Sequence, residues 1–327
     1  MYKIKHKKIR NGGVVSYGVK QVKIKRPCTV IIPTTFKDKF VTDICENAFR
    51  GIDCIGSVIA PDARVDERDG RTTVILPSGL MTIGRHAFAG SSINKLVLPR
   101  GVKYIEWNAF EDCSELTSVT LNDGLQEIDM YAFKNTPLDK IDLPASLYAI
   151  DGTAVEGCSA LSEITVADDS EHYRAESGCL IDKSDGAIVV IADPFTVPVD
   201  STVNKIDFSA CVGRAIVAVD IPEQIECIGS FAFSDCKRLE SVVIRGAKTI
   251  EDSAFDGCSV LREVTLPACL ERIESMAFDD CNALKVIRFG GTREKWKELT
   301  QDVNILWRSK TDRLTVVCSD GEMPFPV

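Results

Sequence analysis

An isoleucine returns every 22 or 23 residues in two runs, Ile83, Ile105, Ile128 and Ile150, then Ile206, Ile228, Ile250 and Ile273. A fixed period of this length marks a stacked repeat, in which each unit contacts only its neighbours. The same residue types recur around each isoleucine. One unit carries Val102, Ile105, Ala109, Phe110, Cys113, Leu116, Val119 and Leu121, and the next carries Leu125, Ile128, Ala132, Phe133, Leu138, Ile141 and Leu143. The pattern is L-x-x-V-x-L, often closed by proline (Pro99, Pro144, Pro222, Pro267), then L-x-x-I, then A-F-x-x-C.

The alternation at the end of L-x-x-V-x-L predicts one short strand per coil, with its apolar side chains inward and the proline ending it. The A-F-x-x-C stretch is too short for a lasting helix and suits a single helical or 3-10 turn. No such coil closes a core alone. Stacking does, because each Leu, Ile or Phe buried between neighbours contributes roughly 1.5–3 kcal/mol. The expected fold is a repeat solenoid: a right-handed stack of leucine-rich-repeat coils, mostly short β-strands with brief helical or 3-10 turns, at a period of 22–23 residues. That period lies inside the leucine-rich-repeat window and far from the 33–34 residues of ankyrin or TPR units. Ladders of isoleucine, phenylalanine and cysteine should form the core, in a single solenoid.

The A-F-x-x-C-x-x-L unit with I-x-x-x-A-F resembles the BspA-type leucine-rich repeats (leucine-rich repeat family 5) of bacterial and protist surface proteins, over about residues 29–321. Thr29-Val30-Ile31-Ile32-Pro33 up to Ala48-Phe49 looks like the opening coil of that family, and Gly291 to Trp296 with Val317 to Gly321 looks like its closing module. The chain thereby divides into an N-terminal strand cap (1–40), a solenoid (41–290) with insertions at about 62–73 and 167–194, and a C-terminal capping module (291–327). Val155 and Cys211 stand where phenylalanine is expected, which predicts looser coils there. The resemblance implies a non-catalytic module that recognises another protein, in adhesion or host–microbe contact.

Two gaps interrupt the period. Ile44 to Ile83 is 39 residues, and its surplus is the charged stretch 62–71, expected as a projecting loop or hairpin tip bent at Asp69-Gly70. Ile150 to Ile206 is 56 residues and hides an irregular coil. There Cys179 to Asp182 and Ala187 to Ile191 read as a β-hairpin turning at Asp185-Gly186. Phe195-Thr196-Val197-Pro198 then restores the strand-and-proline pattern, which should keep the sheet continuous.

Charge and chemistry narrow the function. A net charge of −9 and a pI near 5.1 argue against nucleic acid, which needs a basic stripe. No apolar run approaches the roughly 18 residues of a spanning helix, so no membrane insertion is expected. The N-terminal basic arm (Lys3, Lys5, Lys7, Lys8, Arg10) reads as lysines guarding an edge strand in preference to a contact with an anionic membrane or nucleic acid. Asn11-Gly12-Gly13 follows it where a signal peptide would turn apolar, so the sequence points to the cytoplasm although the resemblance points to the cell surface.

The 13 cysteines are an odd number without a CxxC pair. Cys113, Cys158, Cys236, Cys258 and Cys281 share one repeat position, as expected of a buried apolar ladder; a disulfide would be sought only among the others. His172 and Cys179 are the one Cys/His combination considered for catalysis, at a spacing that matches no catalytic motif. Without a phosphate loop, HExxH or GxSxG motif the chain reads as no enzyme, with no cofactor and no metal. The acidic residue after the repeat isoleucine (Glu106, Asp129, Asp151, Asp207, Glu251, Glu274, broken by Gly84 and Gly229) reads as a solvated face in preference to a Ca²⁺ row.

What remains is the outward stripe of the strands. Thr120, Asp142, Thr165, Asp220, Thr265 and Arg288 are the partner-binding candidates, with the 179–191 hairpin as a second contact. The leading expectation is a monomeric protein-recognition module working through this sheet face. The alternatives are an intracellular interaction scaffold and, more remotely, glycan or Ca-assisted binding.

Overall fold

The computed structural model describes residues 2–11, 14–25, 28–63, 71–309 and 314–325, which fall into two compact units, Met1–Tyr173 and Arg174–Val327. Both are stacks of short parallel strands, as the repeat requires. Each coil contributes two strands where the sequence suggested one. The expected strand is the L-x-x-V-x-L segment, and the second is a two-residue strand ending on the repeat isoleucine, such as Tyr104–Ile105.

In the first unit these short strands join an 8-stranded sheet. Ile44 pairs with Ile83, Ile83 with Ile105, Ile105 with Ile128 and Ile128 with Ile150, all in parallel register. The sheet begins with an antiparallel ribbon of Tyr2–Asn11 and Val14–Ile24, whose second strand runs parallel to Lys39–Ile44. On the other side lie a 5-stranded sheet ending at Ser118–Thr120 and a separate pair, Lys140–Leu143 with Glu163–Val166.

In the second unit a 7-stranded sheet carries Ile188, Ile206, Ile228, Ile250 and Ile273 in register. A 6-stranded sheet runs from Ala218–Ile221 through Ser241–Ile244, Glu263–Leu266 and Val286–Phe289 to Leu314–Cys318 and Gly321–Phe325. The last two strands are antiparallel, and the helix Arg293–Thr300 precedes them. Thr292 caps that helix by accepting a hydrogen bond from the Lys295 amide, and Trp296 buries its ring against Phe289 and Phe325. Among the described residues no helix is long and apolar enough to cross a membrane.

The A-F stretch forms a third ladder. The amide of each phenylalanine but the last, Phe278, donates to the alanine carbonyl of the next coil: Phe88 to Ala109 and Phe110 to Ala132 at 2.8 Å, Phe255 to Ala277 at 2.9 Å. Pointing those amides along the stack turns the chain left-handed on both sides of Ala-Phe. The residue two after phenylalanine has positive φ at Gly90, Asp112, Asn135, Asp235, Gly257 and Asp280, types that tolerate it. The residue before alanine is also left-handed, including the bulky Tyr131, Phe231 and Met276. Here the inter-coil bond, such as Phe231 amide to Asp252 carbonyl, overrides residue preference. A short 3-10 turn replaces this arrangement at Gly152–Val155, one of the two places where phenylalanine is missing.

The rings stack down each unit. Phe49, Phe88, Phe110 and Phe133 lie with centroids 4.7–5.4 Å apart, and Phe233, Phe255 and Phe278 at 5.2 and 5.3 Å. Val155 and Cys211 are themselves buried, so the coils expected to be loose stay closed and only the ring stack is missing. The five ladder cysteines are buried, and each thiol donates to the carbonyl of the phenylalanine position one coil back, for example Cys258 to Phe233 at 3.1 Å. Ser91 and Thr136 hold the same position in other coils and bond the carbonyls of Phe88 and Phe133. This is why a small, weakly donating side chain recurs there. No disulfide joins the cysteines.

Burial pushes the Cys113 thiol up to about 11, against a thiolate. With an alkylating reagent in the native state, the exposed Cys269 should label first and the five ladder cysteines only on unfolding. Fast native labelling of any of the five, read by mass spectrometry, would overturn the ladder.

The two insertions differ. Of the projecting loop or hairpin tip expected at 62–71, residues 64–70 lie outside the described residues; the flanking strands Ile55–Ile59 and Thr72–Ile75 pair in parallel and so do not form a hairpin with one another. The chain returns one place back in the sheet, and Thr72–Ile75 inserts between Ile55–Ile59 and Val30–Ile31. In the second insertion the antiparallel hairpin of Cys179–Asp182 and Ala187–Ile191 forms as expected. Gly186 makes its bend at φ 74°, where a Cβ would meet the Thr202 carbonyl at 1.7 Å. Phe195 to Pro198, however, forms no strand. The hairpin keeps the other sheet in register instead, because Ile188 takes the place of the repeat isoleucine beside Ile206.

Candidate binding surface

The outward stripe of the second unit rests on strands whose inward residues are buried, whereas in the first unit Val119 beside Thr120 and Val166 beside Thr165 are half-buried. In the second unit Asp220 lies beside Val243, Val243 beside Thr265 and Thr265 beside Arg288 on successive parallel strands. Arg245 grips Asp220 with two bonds of 2.7 Å and holds its carboxyl below the usual range, while Arg288 bonds Glu263 on the adjacent strand. In the first unit Asp142 pairs with Thr165, whose hydroxyl donates to it, and Lys140 bridges Asp142 and Glu163 at 3.1 and 3.2 Å. Such exposed pairs add about 0–1 kcal/mol each to stability. Their effect is to orient the charges. Thr120 is exposed at the end of the 5-stranded sheet, on a strand not joined to Lys140–Leu143. The six candidates thus fall into an Asp142/Thr165 pair, an Asp220/Thr265/Arg288 group and Thr120 apart.

The acidic row is bound into the turns. Glu106, Glu251 and Glu274 reach back one coil to accept from the amides of Arg85, Ser230 and Asp252 at 3.0–3.2 Å. The shorter Asp129 and Asp151 accept from Met130 and Thr153 in their own coil, each at 2.8 Å. Asp207 pairs with Lys205 at 2.6 Å. Side-chain length decides which coil is capped, and the row serves backbone amides. Gly84 interrupts it because a Cβ there would stand 2.5 Å from the Ile44 carbonyl.

A set of exposed apolar side chains escaped the sequence reading. In the first unit Met81, Trp107 and Tyr148 are each about 40% exposed, at positions flanking the repeat isoleucine. Arg85 lies 5.1 Å over the Trp107 ring and Lys134 lies 4.5 Å from the Tyr131 ring. The Tyr148 hydroxyl donates to Glu127, which pushes the phenol up to about 12. Glu127, Asp129, Tyr148, Asp151 and Tyr173 line a shallow recess beside it. Trp107 shares its offset from the isoleucine with Arg85 and Met130, while Met81 and Tyr148 lie two residues before theirs, so no single repeated position announces the set.

Cys179 is fully buried, and burial followed by the nearby Glu176 charge pushes its thiol up to about 12, the reverse of what a nucleophile requires. His172 is exposed and meets the edge of the Tyr148 ring. Asp256, Asp279 and Asp280 bring three carboxylates together, a cluster the sequence reading also missed. The Arg308 guanidinium occupies it, 2.8 Å from Asp279 and 3.6 Å from both Asp256 and Asp280.

Parallel coils at this period, with isoleucine, phenylalanine and cysteine ladders, define a leucine-rich-repeat protein, and repeats of this class serve protein interaction. The chain belongs to the BspA type leucine rich repeat family, whose profile matches residues 70–177 and 196–300 in 6 copies. Among solved structures it is similar to a leucine rich cell surface protein of Faecalibacterium prausnitzii, with 23% identity, 92% of this chain and 98% of that one covered, and a TM-score of 0.51. The pneumococcal vaccine antigen PcpA matches at 18% identity over 88% and 80% of the two chains, TM-score 0.59. A leucine-rich repeat protein of Eubacterium ventriosum matches at 20% identity over 83% and 79%, TM-score 0.58. At these identities the likeness concerns the fold. No curated protein matches the sequence.

Proposed function

We propose that the chain is a non-catalytic recognition module that grips another protein through the outward stripe of its L-x-x-V-x-L strands, in adhesion at a cell surface. The observation that carries this reading is the in-register row Asp220, Val243, Thr265 and Arg288, held on buried backbone with its charges already oriented by neighbours. Preoriented side chains lose little entropy on binding, so modest polar contacts can add up. Kinship with a bacterial cell surface protein supports the surface role. A second reading places the partner on the opposite face of the first unit, where Met81, Trp107 and Tyr148 are exposed and Trp107 lies under the Arg85 guanidinium, residue types enriched at interfaces.

One experiment separates the two faces. A partner captured on the immobilised chain and identified by mass spectrometry is titrated against the triple variant Asp142→Ala, Asp220→Ala, Arg288→Ala and against Trp107→Ala. Loss of affinity by about tenfold or more in the triple variant alone is expected, the scale of interface hot spots. Unchanged affinity there with a comparable loss in Trp107→Ala transfers the site to the aromatic face, and no loss in either rejects both.

A further inference from the structure

The charge of this chain is sharply divided. Residues 1–37 hold 10 Lys and Arg and no Asp or Glu, while the other 290 residues carry 29 basic against 48 acidic side chains, a net of −19. The basic residues lie largely on the ribbon of Tyr2–Asn11 and Val14–Ile24. Its register turns Ile4, Val22, His6 and Val19 to one face, with Val19 and Val22 buried, and sends Lys3, Lys5, Lys7, Gln21 and Lys23 to the other. All five of these are exposed, and among the described residues none of the four lysines enters an ion pair.

Edge protection does not account for this pattern. A guard is needed on the edge strand Tyr2–Asn11, but Lys20 and Lys23 lie on the inner strand Val14–Ile24, which has Lys39–Ile44 as its second neighbour. Lys3 also stands directly opposite Lys23, a like-charge cross-strand pair that works against the ribbon's own stability. An anionic partner turns that repulsion into attraction.

We propose that the outward face of this ribbon docks onto the surface of a lipid bilayer rich in anionic headgroups. Lysines are compact, hydrated point charges, suited to many phosphates at once and to no particular one. They stand in two rows about 4.8 Å apart, at steps of about 6.8 Å along each strand, a two-dimensional array that meets a plane. The outward set contains no aromatic ring on which a base could stack, which separates it from single-stranded nucleic-acid sites. The acidic remainder of the chain is repelled by the same leaflet, so only this end approaches it.

The test is partition of the intact chain onto vesicles of phosphatidylcholine alone and of phosphatidylcholine mixed with phosphatidylglycerol. Binding is expected only to the mixed vesicles, and should vanish as salt shortens the screening length from about 10 Å at 0.1 M to about 3 Å at 1 M. Each lysine near an anionic leaflet changes partition about fivefold, so Lys3→Gln, Lys5→Gln and Lys23→Gln together should lower it about a hundredfold. The folding midpoint should not fall, because these side chains are exposed. The double variant Lys285→Gln, Lys297→Gln should bind like the parent. Equal partition onto both vesicle types, an unchanged triple variant, or tighter binding to an oligonucleotide than to the mixed vesicles would each overturn the proposal. A triple variant that only self-associates, from a parent that ignores both vesicles, would return the lysines to edge protection.

Discussion

Replacing Phe255 by alanine should destabilise the chain by about 3–5 kcal/mol, the range for removing a buried aromatic whose site cannot collapse. Phe255 is fully buried between Phe233 and Phe278, with centroids 5.2 and 5.3 Å away. The backbone holds it there, because its amide is tied to Ala277 and the carbonyl of Phe233 accepts the Cys258 thiol. Neighbouring coils therefore cannot close over the void. Each lost ring pair adds about 0.5–1.5 kcal/mol beyond the area term, so Phe255, with two partners, should cost more than Phe49, which stacks on Phe88 alone. Chemical denaturation followed by circular dichroism measures this. Coils in a repeat couple only to their neighbours, so the variant should also broaden the transition as the two flanks begin to unfold separately. A loss below about 1 kcal/mol would mean that the ring stack is not what joins the coils.

The inward positions were legible in the sequence because burial follows the period: Ile105, Phe110 and Cys113 recur at the same offsets, and all three are buried. The second strand of each coil was not, because two residues such as Glu127–Ile128 carry no alternation to detect. Half of the left-handed turns could have been read from Gly90, Asn135 or Asp235, whose types favour positive φ. The other half, at Tyr131, Phe231 and Met276, could not, because their conformation is imposed by bonds to the next coil. The segment around Thr72–Ile75 misled for a similar reason. An Asp-Gly between two apolar runs signals a local hairpin, whereas the partners of this strand are set by the stack.

The candidate stripe was legible as a row of outward residues, but not its internal pairing. That Arg245 would grip Asp220, or Lys140 bridge Asp142 and Glu163, depends on which coils are adjacent and on side-chain reach. The acidic row shows the same limit. In sequence it is one repeated carboxylate, while in space glutamate and aspartate cap different coils. The exposed aromatics carry no repeated signal, because Trp107 and Tyr148 stand on opposite sides of their isoleucines and the equivalent positions hold Arg85 and Met130, or Lys103 and Gln126.

Replacing Arg308 by methionine should destabilise the chain near neutral pH, because it strips the buried Asp279 carboxylate of its charged partner. Residues 304–309 stand in for the coil that would follow the last repeat. The Ile305 carbonyl accepts the Phe278 amide at 3.0 Å, as the alanine of a next coil does elsewhere, and the Ser309 hydroxyl bonds the Phe278 carbonyl at 3.1 Å. Arg308 fastens this segment through Asp279, which is fully buried and accepts both its backbone amide and its guanidinium. Burial alone would raise the Asp279 carboxyl, but those hydrogen bonds outweigh it and hold the group below its ordinary value. The sign of the pH effect follows. In the parent chain Asp279 contributes stability that is present above the unfolded carboxyl value of about 3.9 and is lost as pH falls through the lower folded value. Without the guanidinium, burial gains the upper hand and the folded value rises, so the variant's stability should decline as pH climbs from about 4 toward neutrality. The deficit between the two chains should therefore be small in acid and largest near neutral pH, measured by denaturant unfolding across that interval. A deficit that does not change with pH would mean that the segment is held by the Phe278 bonds and the buried Ile305 side chain, and that the Asp279 charge has no part in closing the stack.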